Sequence, residues 1–170
     1  AARRVRREAL QRRFQLVAAE RSGIVVEKFR GNLRDLDAVR RLFIGSEFVS
    51  RQEFHRFVAP ILAYRDFQAL EWVPRVAREQ RAEFEAAARE EGFAGFRFTA
   101  PNLDGRLVPA DDREVYFPVY YLEPYAGNEA ALGFSPDSTH PARGMALLQA
   151  WETGRLTLTD RKKDLYKTSN

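Results

Sequence analysis

Cysteine is absent from this chain and methionine occurs once. Without a thiol there is no disulfide, no cysteine nucleophile and no thiolate metal ligand, and the absence suits any redox compartment. Histidine is almost missing too. His55 and His140 stand far apart in no HExxH or other paired spacing, so a two-histidine metal or acid–base site finds no support. The glycines are scattered rather than gathered into a phosphate-cradling loop. No run approaches the roughly 18 to 20 apolar residues of a membrane span, and no signal peptide opens the sequence, so the segment as it stands is expected to be soluble. Asp111, Asp112 and Glu123 have no spacing that marks a general-acid pair, and a solvated loop is the plainer reading of them.

What is present is enough for a folded domain: 170 residues, 45% hydrophobic and 31% charged. The formal charge of +4 is unevenly spread. Arg3, Arg4, Arg6, Arg7, Arg12 and Arg13 crowd the start, Lys162, Lys163 and Lys167 sit near the end, and the middle is close to balanced. No aromatic interleaves the first cluster before Phe14, and no nucleic-acid motif follows. A solvated helix face is therefore expected over a nucleic-acid or lipid-headgroup contact.

Residues 5–43 read as one helix. Leu10, Phe14, Val17, Ile24, Phe29, Leu36, Val39 and Phe43 recur at helical steps with Arg and Glu between them. Gly23 and Gly31 weaken it by about 1 kcal/mol each relative to Ala, yet no Pro interrupts it. At 1.5 Å per residue it spans about 60 Å, too long to bury its stripe on one small domain. A second copy in a parallel homodimer through Leu10, Phe14, Val17 and Phe29 is the simplest cover.

Ser50-Arg-Gln-Glu53 is a capping box opening a helix whose inner face is Phe54, Phe57, Val58 and Ile61. A further helix is predicted over residues 74–91, with Pro74 in its first turn and Gly92 after it. Residues 93–99 alternate as a strand, residues 101–105 turn, and residues 115–122 form a strand with Pro118 at an edge or bulge. Residues 141–153 are helical and closed by Gly154; residues 156–159 are a last strand. Side chains two apart share a strand face, so Tyr116, Pro118, Tyr120 and Leu122 are expected on one side and Phe117, Val119 and Tyr121 on the other. The sum is an α+β fold: a long N-terminal helix (1–50), a small antiparallel sheet with helices (51–161) and a tail (162–170).

Ala69-Leu-Glu-Trp-Val-Pro-Arg-Val76, Arg78, Glu83-Phe-Glu85, Glu91-Gly92, Arg113-Glu-Val-Tyr-Phe-Pro-Val119 and Glu123-Pro124 occur in that order. Asn128, Leu132-Gly133, Ala142-Arg143, Ala146-Leu147 and Ala150 follow, and Glu152-Thr-Gly-Arg-Leu-Thr-Leu-Thr159 ends the series. Together they resemble the CHASE family, extracytoplasmic sensory domains of histidine kinases and cyclases. The resemblance implies a PAS-like sensory domain over residues 51–161, a membrane-anchored parent receptor of histidine-kinase or diguanylate-cyclase type, and a periplasmic location at the inner membrane. No catalytic residue, cofactor, metal or nucleic acid is implied for the segment itself. Members continue past the Gly-x-x-x-x-Thr strand into another strand and a membrane-proximal subdomain, so the chain is expected to be a truncated one with an open sheet edge.

The resemblance also implies a small organic ligand held by Tyr116, Pro118, Tyr120, Leu122, Glu123, Leu148 and Thr159. In the cytokinin-receptor branch an Asp after the Tyr-x-Pro-Val strand, a Leu backbone and a Thr hydroxyl meet the ligand. Here the Leu falls on Leu148, the Thr on Thr159 and the Asp on Pro124, with Glu123 next to it as the other acidic choice. Pro124 neither accepts with its side chain nor donates from its backbone, which favours a flat, weakly charged ligand over an adenine-type one. The alternative is a structural or protein-interaction dimerisation module with no small-molecule ligand.

Overall fold

A computed structural model describes residues 2–139 and 141–159, with side chains from residue 21 onward. Helix α1, Ala2–Gly45, is continuous through Gly23 and Gly31 and spans about 66 Å at 1.5 Å per residue. Ile24, Val25, Val26 and Phe29 are exposed on it, while Leu36, Val39 and Phe43 are half-buried. The Leu10, Phe14 and Val17 side chains, the Arg3 to Arg13 cluster, His140 and the tail carrying Lys162, Lys163 and Lys167 lie outside the described residues. Contacts within the chain fall into two units divided between Val49 and Ser50.

The second unit opens with α2, Arg51–Tyr64. Its capping box is formed: Glu53 N donates to Ser50 Oγ at 3.2 Å and Ser50 N donates to the Glu53 carboxylate at 2.8 Å. Those bonds hold the Glu53 carboxyl below its usual range. Phe54, Val58 and Ile61 are buried as one stripe, and Phe57, at its margin, is exposed.

Three antiparallel strand pairs follow. β1, Leu70–Trp72, pairs with β6, Tyr121–Glu123; β2, Val76–Ala77, pairs with β5, Val115–Tyr116; β3, Thr99–Pro101, pairs with β4, Leu107–Pro109. Backbone bonds continue the pairing between them. Tyr120 N donates to Trp72 O, Val119 N to Phe134 O, Gly133 N to Val119 O and Thr99 N to Gly133 O. Gly133 sits at φ +81, and a Cβ there would run into the Arg97 carbonyl, so the close approach of these strands needs glycine.

Several expected elements differ. The helix expected from Pro74 begins only at Arg81: residues 76–77 pair with β5, a 3-10 turn covers Arg78–Gln80, and α3 is Arg81–Glu90. Cross-strand pairing outweighs helix propensity here. The strand expected from Phe93 starts at Thr99, because Phe93 N closes back on Ala88 O and Phe96 N on Phe93 O. The strand expected over residues 115–122 is two strands with different partners, broken where Pro118 offers no donor. Both of its sides are covered: Tyr116, Phe117, Pro118, Val119, Tyr120, Tyr121 and Leu122 are all buried. Helix α4, Pro141–Thr153, ends as expected, with Gly154 N donating to Ala150 O at 2.9 Å. The strand expected at residues 156–159 is not formed, and Leu156, Leu158 and Thr159 are exposed.

Candidate functional site

The centre of the second unit is an aromatic stack read upward from Arg51, the first residue of α2. Its Nε donates to Glu91 at 2.8 Å and its Nη1 to the Tyr120 carbonyl at 2.7 Å. Nη2 is buried with no oxygen in reach. Ring faces take that place: the guanidinium lies 4.4 Å from the Phe93 centroid and 4.7 Å from that of Tyr121. Tyr121 in turn packs on Trp72 at 4.7 Å and Phe54 at 5.6 Å. Burial, with Glu91 adding to it and Arg51 opposing, pushes the Tyr121 phenol up to about 12, so it stays protonated at any physiological pH.

Tyr116 and Tyr120 are committed to the scaffold. Tyr116 Oη accepts from Arg113 N at 2.8 Å and from Arg81 Nη1 at 3.2 Å, and donates to the Asp111 carbonyl at 3.2 Å. Tyr120 Oη donates to the Phe84 carbonyl at 3.0 Å. Pro118 is fully buried, and Leu122 packs with Val119 and Ala131. Glu123 faces α2, where His55 Nδ1 lies 2.9 Å from its carboxylate. Leu148, on α4, is exposed, and Thr159 lies beyond that helix and is exposed as well. Tyr116, Pro118, Tyr120 and Leu122 therefore share one continuous core segment, while Leu148 and Thr159 are exposed and outside it.

The Leu122 face of the β1–β6 pair has its own geometry. Glu71 is the Cα partner of Leu122, so the two project from the same face of the β1–β6 pair. Ala69 and Val73, two residues either way, pack around Leu122 with Leu132. From α4, the Trp151 ring lies 4.8 Å from the Arg75 guanidinium, and Arg143 acts electrostatically on Glu71. Yet α4 buries no residue at all. Met145 is 70% and Trp151 59% exposed, although both are large and apolar. Arg51, Glu71 and Trp72 are not among the sequence-predicted site residues; only strand register shows which way Glu71 points.

Among the described residues no group of three or more His, Asp and Glu is placed to hold a metal ion. No helix among them is long and apolar enough to cross a membrane. The class so defined is a small α+β domain, following a long helix in sequence, with a closed aromatic core and an open apolar helix face. The CHASE domain model matches residues 47–168, and the chain belongs to the CHASE family, sensory extracellular domains of signalling receptors. No curated protein matches the chain.

Proposed function

We propose that residues 51–161 form the ligand-sensing domain of a transmembrane receptor of histidine-kinase or diguanylate-cyclase type, on the periplasmic side of the inner membrane. A small organic molecule binds between the β1–β6 pair and α4, with Leu122, Leu148 and Thr159 near it. The reading is supported by the family match and by α4, which buries no residue and leaves Met145, Leu148 and Trp151 exposed. Tyr116, Pro118 and Tyr120 support the floor from beneath, and Glu123 ties the floor to α2 through His55. A ligand shifts output only by its difference in affinity for two arrangements of the chain. Helix α1 is the element that carries the shift, as a parallel homodimer through residues 10–29, among which Ile24, Val25, Val26 and Phe29 are exposed.

A thermal-shift screen of small organic molecules tests the reading, because a ligand of the folded state stabilises it by mass action. Stabilisation lost in Leu148→Asp supports it. A chain that responds to no compound and sediments as a dimer disrupted by Phe29→Asp favours the dimerisation module instead.

A further inference from the structure

Arg51 is held in the second unit as a bound cation is held. Its guanidinium lies 4.4 Å from the Phe93 centroid, 4.7 Å from that of Tyr121 and 5.5 Å from that of Tyr120. Two acceptors complete the enclosure: Nε donates to Glu91 at 2.8 Å and Nη1 to the Tyr120 carbonyl at 2.7 Å. Nη2 is buried with no hydrogen-bond partner among the described residues. Three rings, a carboxylate and a carbonyl around one planar cation have the chemistry of an aromatic cation cage.

The walls of this cage are fixed without Arg51. Tyr120 and Tyr121 belong to the buried segment and pack on Trp72 at 5.8 and 4.7 Å, and Tyr120 Oη donates to the Phe84 carbonyl. Phe93 is set at the end of α3 by its N–H bond to Ala88 O, and its ring packs on Tyr125 at 5.5 Å. The occupant comes from another element: Arg51 opens α2, shortly after α1 ends at Gly45. Solvent reaches the site, since the Arg51 side chain is 19% and that of Glu91 38% exposed.

We propose that Phe93, Tyr120, Tyr121 and Glu91 form a binding site for a guanidino compound, that Arg51 fills it as a tethered occupant, and that a free guanidino group competes with Arg51 and releases the first turn of α2 from the core. The inference goes beyond the sensing reading and does not depend on it. A planar head with N–H donors satisfies the Glu91 carboxylate and the Tyr120 carbonyl while its faces meet the rings. A quaternary ammonium also meets the rings but leaves both acceptors unpaired, so the site discriminates against it. The tether opposes the free ligand: only chains with Arg51 out of the cage are competent to bind, and the apparent affinity of wild type is reduced by that fraction.

Titration of the full chain with methylguanidinium, well below denaturing concentrations, tests the inference, with tetramethylammonium at equal ionic strength as the control. In Arg51→Ala, methylguanidinium is expected to raise Tm and to shift the Tyr120 and Tyr121 ring signals saturably, and tetramethylammonium to do neither. In wild type the same ring signals and the Arg51 Nε–H signal are expected to move together, with an affinity about 10- to 150-fold weaker than in Arg51→Ala. Saturable binding to Arg51→Ala with the wild-type Arg51 signal unmoved overturns the competition and leaves Arg51 a permanent part of the core. No saturable shift of either tyrosine ring in Arg51→Ala overturns the site itself. Should Arg51→Ala not fold, the wild-type titration decides alone: joint saturable movement of the Arg51 and Tyr121 signals supports the site, and their constancy overturns it.

Discussion

Residues 116–122 and residues 145–159 are both rich in apolar side chains, yet the first stretch is buried throughout and much of the second is open to solvent. The difference lies in partners. Residues 119–122 have backbone neighbours on both sides, Leu70–Trp72 in one direction and Gly133 and Phe134 in the other, and Arg51 and Phe84 close over the tyrosine rings. Residues 154–159 have no strand partner among the described residues, and α4 meets the rest of the unit through the Pro136–Ser138 turn, Arg75 and Arg143. Apolar content alone thus does not decide burial. The closed stretch carries the stability of the unit, and the open stretch is where its surface remains available.

The comparison is broken most directly at Tyr121. Truncation to Ala removes the ring that touches Phe54, Trp72 and Arg51 together, and a loss of about 3 to 5 kcal/mol is expected in urea unfolding. A loss under 1 kcal/mol would mean that the aromatic stack is not the core. Arg51→Met comes next. It keeps the apolar stem against the rings but leaves the Tyr120 carbonyl and Glu91 without their donors, at an expected cost of about 1 to 3 kcal/mol. Glu91 is partly exposed and recovers some hydration, so the lower half of that range is expected.

The open stretch sharpens the contrast from the other side. Trp151→Ala and Met145→Ser are expected to change stability by less than about 0.5 kcal/mol, since neither side chain is buried. A loss above 2 kcal/mol for either would show that α4 is packed in solution. Because Arg75 stacks on Trp151, a small loss is expected to be shared with Arg75→Ala in a double-mutant cycle.

Sequence made some of this legible and hid the rest for identifiable reasons. The capping box at Ser50, the helix stops at Gly92 and Gly154 and the turn at residues 101–105 are local, and each is found in place. The errors are long-range. Val76 and Ala77 have no local sign of pairing with Tyr116 and Val115, 40 and 38 positions away in the register, so a helix started too early at Pro74. Likewise, alternation in residues 115–122 assigns side chains to two sides but does not say that neighbours cover both. The site suffered most. Tyr116 and Tyr120 carry hydroxyls that look available in sequence but are used by Arg113, Arg81, Asp111 and Phe84. Glu71 stands in the sequence only as part of the Ala69–Val76 motif, and its direction follows from its pairing with Leu122.

The smallest effect expected concerns the two carboxylates that mark the two kinds of surface, and it is separable by sign. The Glu71 carboxyl is raised above its ordinary 4.5 by desolvation. The folded state therefore holds its proton more tightly than the unfolded chain, and stability falls as pH rises through the window just above 4.5. Glu53 is lowered below its ordinary 4.5 by the Ser50 backbone and hydroxyl. Its contribution is present above that value and is lost as pH falls through the window beneath it. Difference curves against Glu71→Gln and Glu53→Gln should consequently bend in opposite directions on opposite sides of 4.5, with Glu71→Gln gaining relative to wild type as pH rises and then levelling off. Thermal melts across pH 3 to 8 read both. A Glu71→Gln difference that is flat with pH would place its carboxylate in ordinary water, and would take from the β1–β6 face the one poorly hydrated charge that sets it apart from the closed core.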